Sequence, residues 1–283
     1  MRLLLNLFKL RIGLAIALAA AAGAAVTPGA VDAGPLAVLV LAVLVSSAAA
    51  GAYNQYVERD IDARMARTRG RPFVTGALAH GPAWLWVIGA MTAGSVLAAA
   101  FATNWIAALY VFAGAFTYGV VYTVWLKRRT AWNIVVGGLA GSFAVLAGAA
   151  AVAPELPGAP LWLAVALFLW TPPHFWSLAI ACREDYAAAG VPMLPVVVGD
   201  ARSAKIIFWS AVALVAATLA PGAYGLGWAY LACAAGGGAL FLWKAWALVL
   251  EPGRRRAQAA FRASLLQLGL VLLGAIADAA LGG

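Results

Sequence analysis

Nine stretches of roughly 20 apolar residues alternate with short polar connections along this chain, each long enough to cross a bilayer as a helix. They run approximately over residues 12–31, 36–55, 82–101, 105–125, 132–152, 161–181, 205–220, 228–248 and 263–281. The pattern predicts an all-α polytopic membrane bundle of nine transmembrane helices around a central cavity, folded as a single domain over residues 1–283, with a short seventh span. The connections are unequal. Those at Pro28–Pro35 and Ala153–Pro160 are rich in Gly, Pro and Ala, as simple turns require. The loops after spans two and six are longer, about 26 and 23 residues, and both mix acids with arginines.

Composition agrees with the pattern. The hydrophobic share is 65%, charged residues make up 10% and the mean hydropathy is +0.93, outside the usual soluble classes. The net charge of +9 belongs in such a chain to loops obeying the positive-inside rule and does not point to nucleic acid. Basic residues precede span one (Arg2, Lys9, Arg11), follow span two (Arg59, Arg64, Arg67, Arg69, Arg71) and follow span four (Lys127, Arg128, Arg129). The remainder surround the loops after span six (Arg183, Arg202, Lys205) and span eight (Lys244, Arg254, Arg255, Arg256, Arg262). All nineteen fall on one side, which predicts a cytoplasmic N-terminus and, for an odd span count, an outside C-terminus. The basic start before an Ala-rich run is signal-peptide-like, but the run reaches Val31 and a return span follows, so a retained first span is expected. Cys182 and Cys233 are too far apart for a CxxC motif, and His80 and His174 are the only histidines, which leaves no Cys/His metal cluster.

Three polar constellations interrupt the apolar background. In the first, Asn54–Pro72, the side chains of Asn54, Glu58 and Asp62 are spaced i, i+4, i+8 and line one helical stripe, with Asp60 pointing elsewhere. Oxygen ligands followed by Arg64, Arg67, Arg69 and Arg71 suit a metal-chelated diphosphate; the plainer reading is a solvated helix end at a membrane surface. The second constellation is Thr171–Asp200. Pro172 and Pro173 remove two helix donors and predict a bend or break in span six that opens a cavity. Beyond them Arg183, Glu184, Asp185 and Tyr186 offer a second ligand set, or an interfacial cap. His174 is read as a buried hydrogen-bonded histidine, with a base or a haem contact as alternatives. In the third, Tyr118–Gly138, Tyr122 lies one turn from Tyr118 near the basic end of span four, where Lys127 and Arg128 could touch phosphate or merely anchor the span.

Taken together, NQYVERDIDARMARTRGRP, YTVWLKRRTAWNIVVGG and PPHFWSLAI followed by REDYAAAGVPMLPVVVG resemble the UbiA superfamily of intramembrane prenyltransferases, over nearly the whole chain, and within it the haem-modifying branch. The first stretch matches the superfamily's NxxxDxxxD motif with Glu58 in the middle place. The resemblance implies a UbiA-like fold in the inner membrane, Mg²⁺, farnesyl diphosphate as donor and protohaem IX as acceptor. It also admits contact with downstream haem or oxidase biogenesis proteins. It assigns Asn54, Glu58, Asp62 and Asp185 to catalysis, with Glu184 joining them as metal ligands. Arg67, Arg71, Lys127, Arg128 and Arg183 go to the diphosphate, and Tyr118, Tyr122, His174 and Trp176 to the acceptor pocket. Two departures stand out: Lys9-Leu10-Arg11 replaces the usual Lys-Pro-Arg, and GSFAVLAG (Gly141–Gly148) replaces a Pro-Pro stretch. Both are expected to lie away from the acidic motifs. Competing readings are a UbiA-type enzyme for 4-hydroxybenzoate, a naphthoate or a chlorophyllide, a secondary transporter, and a non-catalytic haem-binding protein. Clustering of the acids at a membrane face and the lack of an inverted repeat speak against a transporter.

Overall fold

The computed structural model, described over residues 2–282, is helical and holds no strand among those residues. Among the described residues, eight helices are long and apolar enough to cross a membrane: Ala33–Val57, Ala83–Ala102, Trp105–Leu126, Asn133–Val152, Gly158–Ala181, Asp200–Tyr224, Trp228–Leu250 and Arg254–Ala280. The helix that precedes them, Leu10–Ala25, is apolar but has only 16 residues. It covers about 24 Å at 1.5 Å per residue, against a hydrocarbon core of about 30 Å. With it the spans match the nine predicted in order, although it ends at Ala25 where hydropathy carried it to Val31. The cause is local, since Pro28 follows and Gly29 takes φ 126°, a conformation that ends a helix. The seventh and ninth spans begin earlier than predicted, at Asp200 and Arg254, because polar first turns continue the helix outside the apolar window.

Small residues let the backbones approach. Gly23 of the first span lies against the carbonyl of Val145, and Gly148 of the fifth lies against the carbonyl of Ala20, so a Cβ at either position would overlap backbone. Ala19, Ala20, Ala22, Ala144, Val145 and Ala147 fill the same buried cluster. The Gly141–Gly148 stretch therefore serves helix packing, at a distance from the polar loops.

Two local features differ from expectation. The sixth span runs as one helix through Pro172 and Pro173, so of the bend or break expected there, no break interrupts the helix. Packing against the seventh and ninth spans holds it, and the Thr171 and Ser177 hydroxyls donate within it to the Leu167 and Pro173 carbonyls. The irregular winding lies in the fourth span instead. Residues Thr117–Leu126 form a π-helix, closed by the Lys127 amide donating to the Tyr122 carbonyl at 2.9 Å. Such wide turns recur at functional sites.

Candidate active site

The second span ends at Val57, the chain turns at Glu58, and a short helix resumes over Arg59–Ala63. The i+4 bonds survive that turn, with the Glu58 amide donating to the Asn54 carbonyl and the Asp62 amide to the Glu58 carbonyl. Asn54, Glu58 and Asp62 therefore keep one face, and all three are buried. Asp60 lies half-exposed and forms a bidentate pair with Arg128.

Past Ala63 the loop folds back through tight turns, with the Thr68 amide donating to Met65, the Arg71 amide to Thr68 and the Thr68 hydroxyl to the Asp62 carbonyl. Pro72 keeps Arg71 extended, at φ −67° and ψ 148°. The Arg71 guanidinium thereby reaches Asp62 Oδ2 at 2.5 Å and Glu58 Oε2 at 3.8 Å. From the fourth span, Lys127 Nζ meets Glu58 Oε2 at 2.5 Å. The π-winding is what delivers it, because the five-residue spacing sets Lys127 over the Tyr122 ring, 5.6 Å from its centroid. Tyr122 in turn stacks on Tyr118 at 5.5 Å. Burial raises the Asp62 carboxyl pKa, opposed by the charge of Arg71.

Each carboxylate is held by one oxygen only. Glu58 Oε1 and Asp62 Oδ1 are buried and have no hydrogen-bond partner. Buried orphan acceptors of this kind are costly, and two hard anionic oxygens beside each other's cations suit a divalent ion of the Mg²⁺ type. Asn54 has both polar side-chain atoms engaged: its Oδ1 accepts from Lys9 Nζ at 2.6 Å and its Nδ2 donates to Thr123 Oγ1 at 3.0 Å.

Lys9, expected to lie away from the acids, thus enters the cluster. It sits between the helix Arg2–Leu7 and the first span in a left-handed conformation, φ 47°. Its ammonium also donates to the Tyr118 hydroxyl at 3.1 Å. Burial, reinforced by the charge of Arg71, brings its pKa down to about 7. Thr123 carries no motif, and Lys9 belongs to the Lys-Leu-Arg run that the sequence places among the topological anchors, away from the acids.

The second loop seats its acids differently from the first. Asp185 accepts from the backbone amides of Ala66 and Arg67 at 3.1 and 3.2 Å, with one oxygen on each. It is a clasp between the two loops. Tyr186 adds to it by accepting from Arg67 Nη2 at 3.4 Å. Glu184 is exposed, and Arg183 lies 3.7 Å from Asp200 at the surface. Among the described residues no three His, Cys, Asp or Glu side chains cluster closely enough to hold a metal, so the two acidic sets do not merge. Of the five arginines and lysines expected on the diphosphate, Arg71 and Lys127 sit on the buried carboxylates, while Arg67, Arg128 and Arg183 are otherwise engaged.

The residues expected around the acceptor divide between two faces. Tyr122 and Trp176 share one buried cluster with Ile61 and Met65, and Tyr118 packs against it. The indole N–H of Trp176 has no partner. His174, two residues and about 200° earlier on the same helix, faces the ninth span. It stacks between Trp170 at 4.0 Å and Phe261 at 4.5 Å, and Nδ1 meets Ser264 Oγ at 2.7 Å. That hydroxyl already donates to the Phe261 carbonyl, so the imidazole is the donor. This is the buried, hydrogen-bonded histidine of the plainer reading.

An apolar groove of about 600 Å³ runs between the second, third and fourth spans, lined among others by Ala50, Tyr53, Ile88, Val96, Phe112 and Gly119. Its end borders the polar cluster, since Tyr53 and Gly119 are the chain neighbours of Asn54 and Tyr118 and touch each other.

Comparison with known proteins adds family and relatives. The UbiA prenyltransferase family matches residues 14–269. Protoheme IX farnesyltransferase 2 of Paramagnetospirillum magneticum is 57% identical over 284 residues, covering 100% of this chain and 99% of that protein. Protoheme IX farnesyltransferase 1 of the same organism is 48% identical over 275 residues, 97% of each. Among solved structures, digeranylgeranylglyceryl phosphate synthase superposes with a TM-score of 0.77 at 17% identity, covering 98% of both chains. A UbiA homologue from Archaeoglobus fulgidus bound to DMAPP and Mg²⁺ gives 0.72 at 18% identity, covering 97% of this chain and 99% of its own. At these identities the two structures speak for the fold.

Proposed function

Since this chain belongs to the UbiA prenyltransferase family, we propose that it transfers the farnesyl group of farnesyl diphosphate to a vinyl group of protohaem IX, giving haem O for terminal oxidases. The observation that carries the donor half is the buried pair Glu58 and Asp62, each with one oxygen held by a cation and one left without a partner. The acceptor half rests on the two relatives named for protohaem IX, which align with nearly all of the chain.

Glu58 Oε1 and Asp62 Oδ1 are the atoms that would hold Mg²⁺, which when bound supplies charge neutralisation and Lewis-acid activation of the diphosphate leaving group. Arg71 and Lys127 hold the opposite oxygens and carry the donor charge that accumulates as the allylic C–O bond breaks and its electron pair leaves with diphosphate. The vinyl π pair forms the new C–C bond, water adds to the cation left behind, and a proton is released. Tyr118, Tyr122 and Trp176 give the acceptor an aromatic wall beside the reacting carbon, and the unpartnered Trp176 indole is available to a polar substituent. The apolar groove bordering the cluster offers the isoprenoid chain a dry surface. The basic loops on the site's face support an inner-membrane orientation with the N-terminus cytoplasmic and the C-terminus outside.

Mass spectrometry of haems extracted from cells with and without the protein tests the reading. A gain matching farnesyl plus water is expected, and it should vanish when purified enzyme is assayed with a chelator. A product built on another aromatic ring would replace the acceptor, and turnover without any divalent ion would remove Mg²⁺ from the scheme.

A further inference from the structure

Resting on the donor-site reading above, we propose that Lys9, carried by the segment ahead of the first span, is a third cation for the prenyl donor's diphosphate, and that Asn54 and Tyr118 hold its ammonium in place for that purpose. Four observations carry this. First, the ammonium is placed by dedicated structure. Lys9 adopts a left-handed backbone that non-glycine residues rarely take, and its stem packs where Gly51 leaves room, since a Cβ there would sit 3.4 to 3.5 Å from three Lys9 carbons. Second, its neighbours are neutral: Asn54 Oδ1 and the Tyr118 hydroxyl accept from it. A lysine has three donors, so one is left for a ligand.

Third, the charge has no partner. Among the described residues the ion pairs of the cluster join Arg71 and Lys127 to Glu58 and Asp62, and none includes Lys9. A partly buried ammonium without a counter-ion is unfavourable, and its lowered pKa reports the same cost. Three cations face two carboxylates, so the cluster carries a net positive charge even before a divalent ion is added. That excess suits a polyanion. Fourth, the location selects which one. Asn54 lies one helical turn from Glu58 on the buried stripe, about 6 Å along the axis, so an anion bridging Lys9 and Lys127 would lie beside Glu58 and its unpartnered oxygen. Asn54, its oxygen on the ammonium and its nitrogen on Thr123, acts as the positioning residue for Lys9.

Titration calorimetry on the full detergent-solubilised chain, with inorganic diphosphate and Mg²⁺ as the probe, tests this without catalysis. Lys9→Met should weaken diphosphate binding by about tenfold or more, the loss of one charge-assisted hydrogen bond, while Lys9→Arg should bind within a few-fold of wild type. Steady-state kinetics supply the second readout, with the KM for farnesyl diphosphate raised in Lys9→Met and that for haem unchanged. Unaltered diphosphate affinity in Lys9→Met overturns the inference and leaves the donor site standing. So does an equal loss in both variants with a lowered melting temperature, which would mean that Lys9 only packs. A rise in haem KM alone would reassign the ammonium to an acceptor carboxylate and also overturn it. If wild-type protein binds no diphosphate with Mg²⁺, the donor-site reading itself fails, and this inference with it.

Discussion

The loops after spans two and six hold the same kinds of residue and put them to opposite uses. In the first, the register of a membrane helix continues through a turn at Glu58, so Asn54, Glu58 and Asp62 inherit the span's buried face. In the second, the i+4 bonds likewise continue across Cys182, its amide donating to the Leu178 carbonyl and the Tyr186 amide to the Cys182 carbonyl, but Glu184 falls on the outer face and is left in solvent. Asp185 turns inward but spends both oxygens on backbone amides of the first loop. An acidic motif is thus buried or solvent-facing according to which face of its helix carries it. The second loop positions the first.

The largest expected effect sets Glu58 against Glu184. Glu58→Gln should lower turnover by about 10³-fold, as for removal of a transition-state-stabilising group in a dry site, whereas Glu184→Gln should stay within about twofold. Chromatographic assay of farnesylated haem in membranes checks both, and equal losses would erase the distinction between the loops. Next, Lys127→Met strands the buried Glu58 carboxylate. It should cost roughly 3–5 kcal/mol of stability, read as a lowered melting temperature of the purified protein. Adding Glu58→Gln should restore part of that stability without restoring activity, and a double mutant no better than the single would deny the coupling. A smaller effect belongs to the clasp: Asp185→Asn should raise the KM for prenyl diphosphate by about tenfold, because the loop carrying Arg71 loses a charge-assisted tether. A loss confined to kcat, with donor KM unchanged, would instead make Asp185 part of the chemistry. The smallest is at Asp60 and Arg128, whose exposed pair should change stability by less than about 1 kcal/mol when either is made Ala. A drop beyond that in thermal denaturation would show that the outer pair supports the inner one.

The spans were legible because apolar length is a strong one-dimensional signal, and the stripe Asn54, Glu58, Asp62 because helical spacing survives a single turn. Where the reading missed, it lacked three-dimensional information. Pro172 and Pro173 predict a bend or break by removing donors, and tertiary packing on both sides keeps the sixth helix unbroken. Nothing in YGVVYTVWL announces the π-winding that brings Lys127 to Glu58. The spacing of Glu184 and Asp185 could not tell ligand from clasp, since that depends on the backbone amides of Ala66 and Arg67 arriving from 119 and 118 residues away. Lys9 shows the same limit at a distance of 45 residues.

The reciprocal seating of Gly23 on Val145 and Gly148 on Ala20 has a mechanical consequence. Neither helix can slide past the other without driving a backbone carbonyl into a neighbouring Cα, so the first and fifth spans act as a fixed fulcrum. Any widening that admits a macrocycle as large as a porphyrin must be distributed over the remaining helices and the loops, which pivot about that point. Because Lys9 directly precedes the fulcrum's first helix and its ammonium is tied to Asn54 of the second span, one side chain links the fulcrum to the helix that carries the carboxylates.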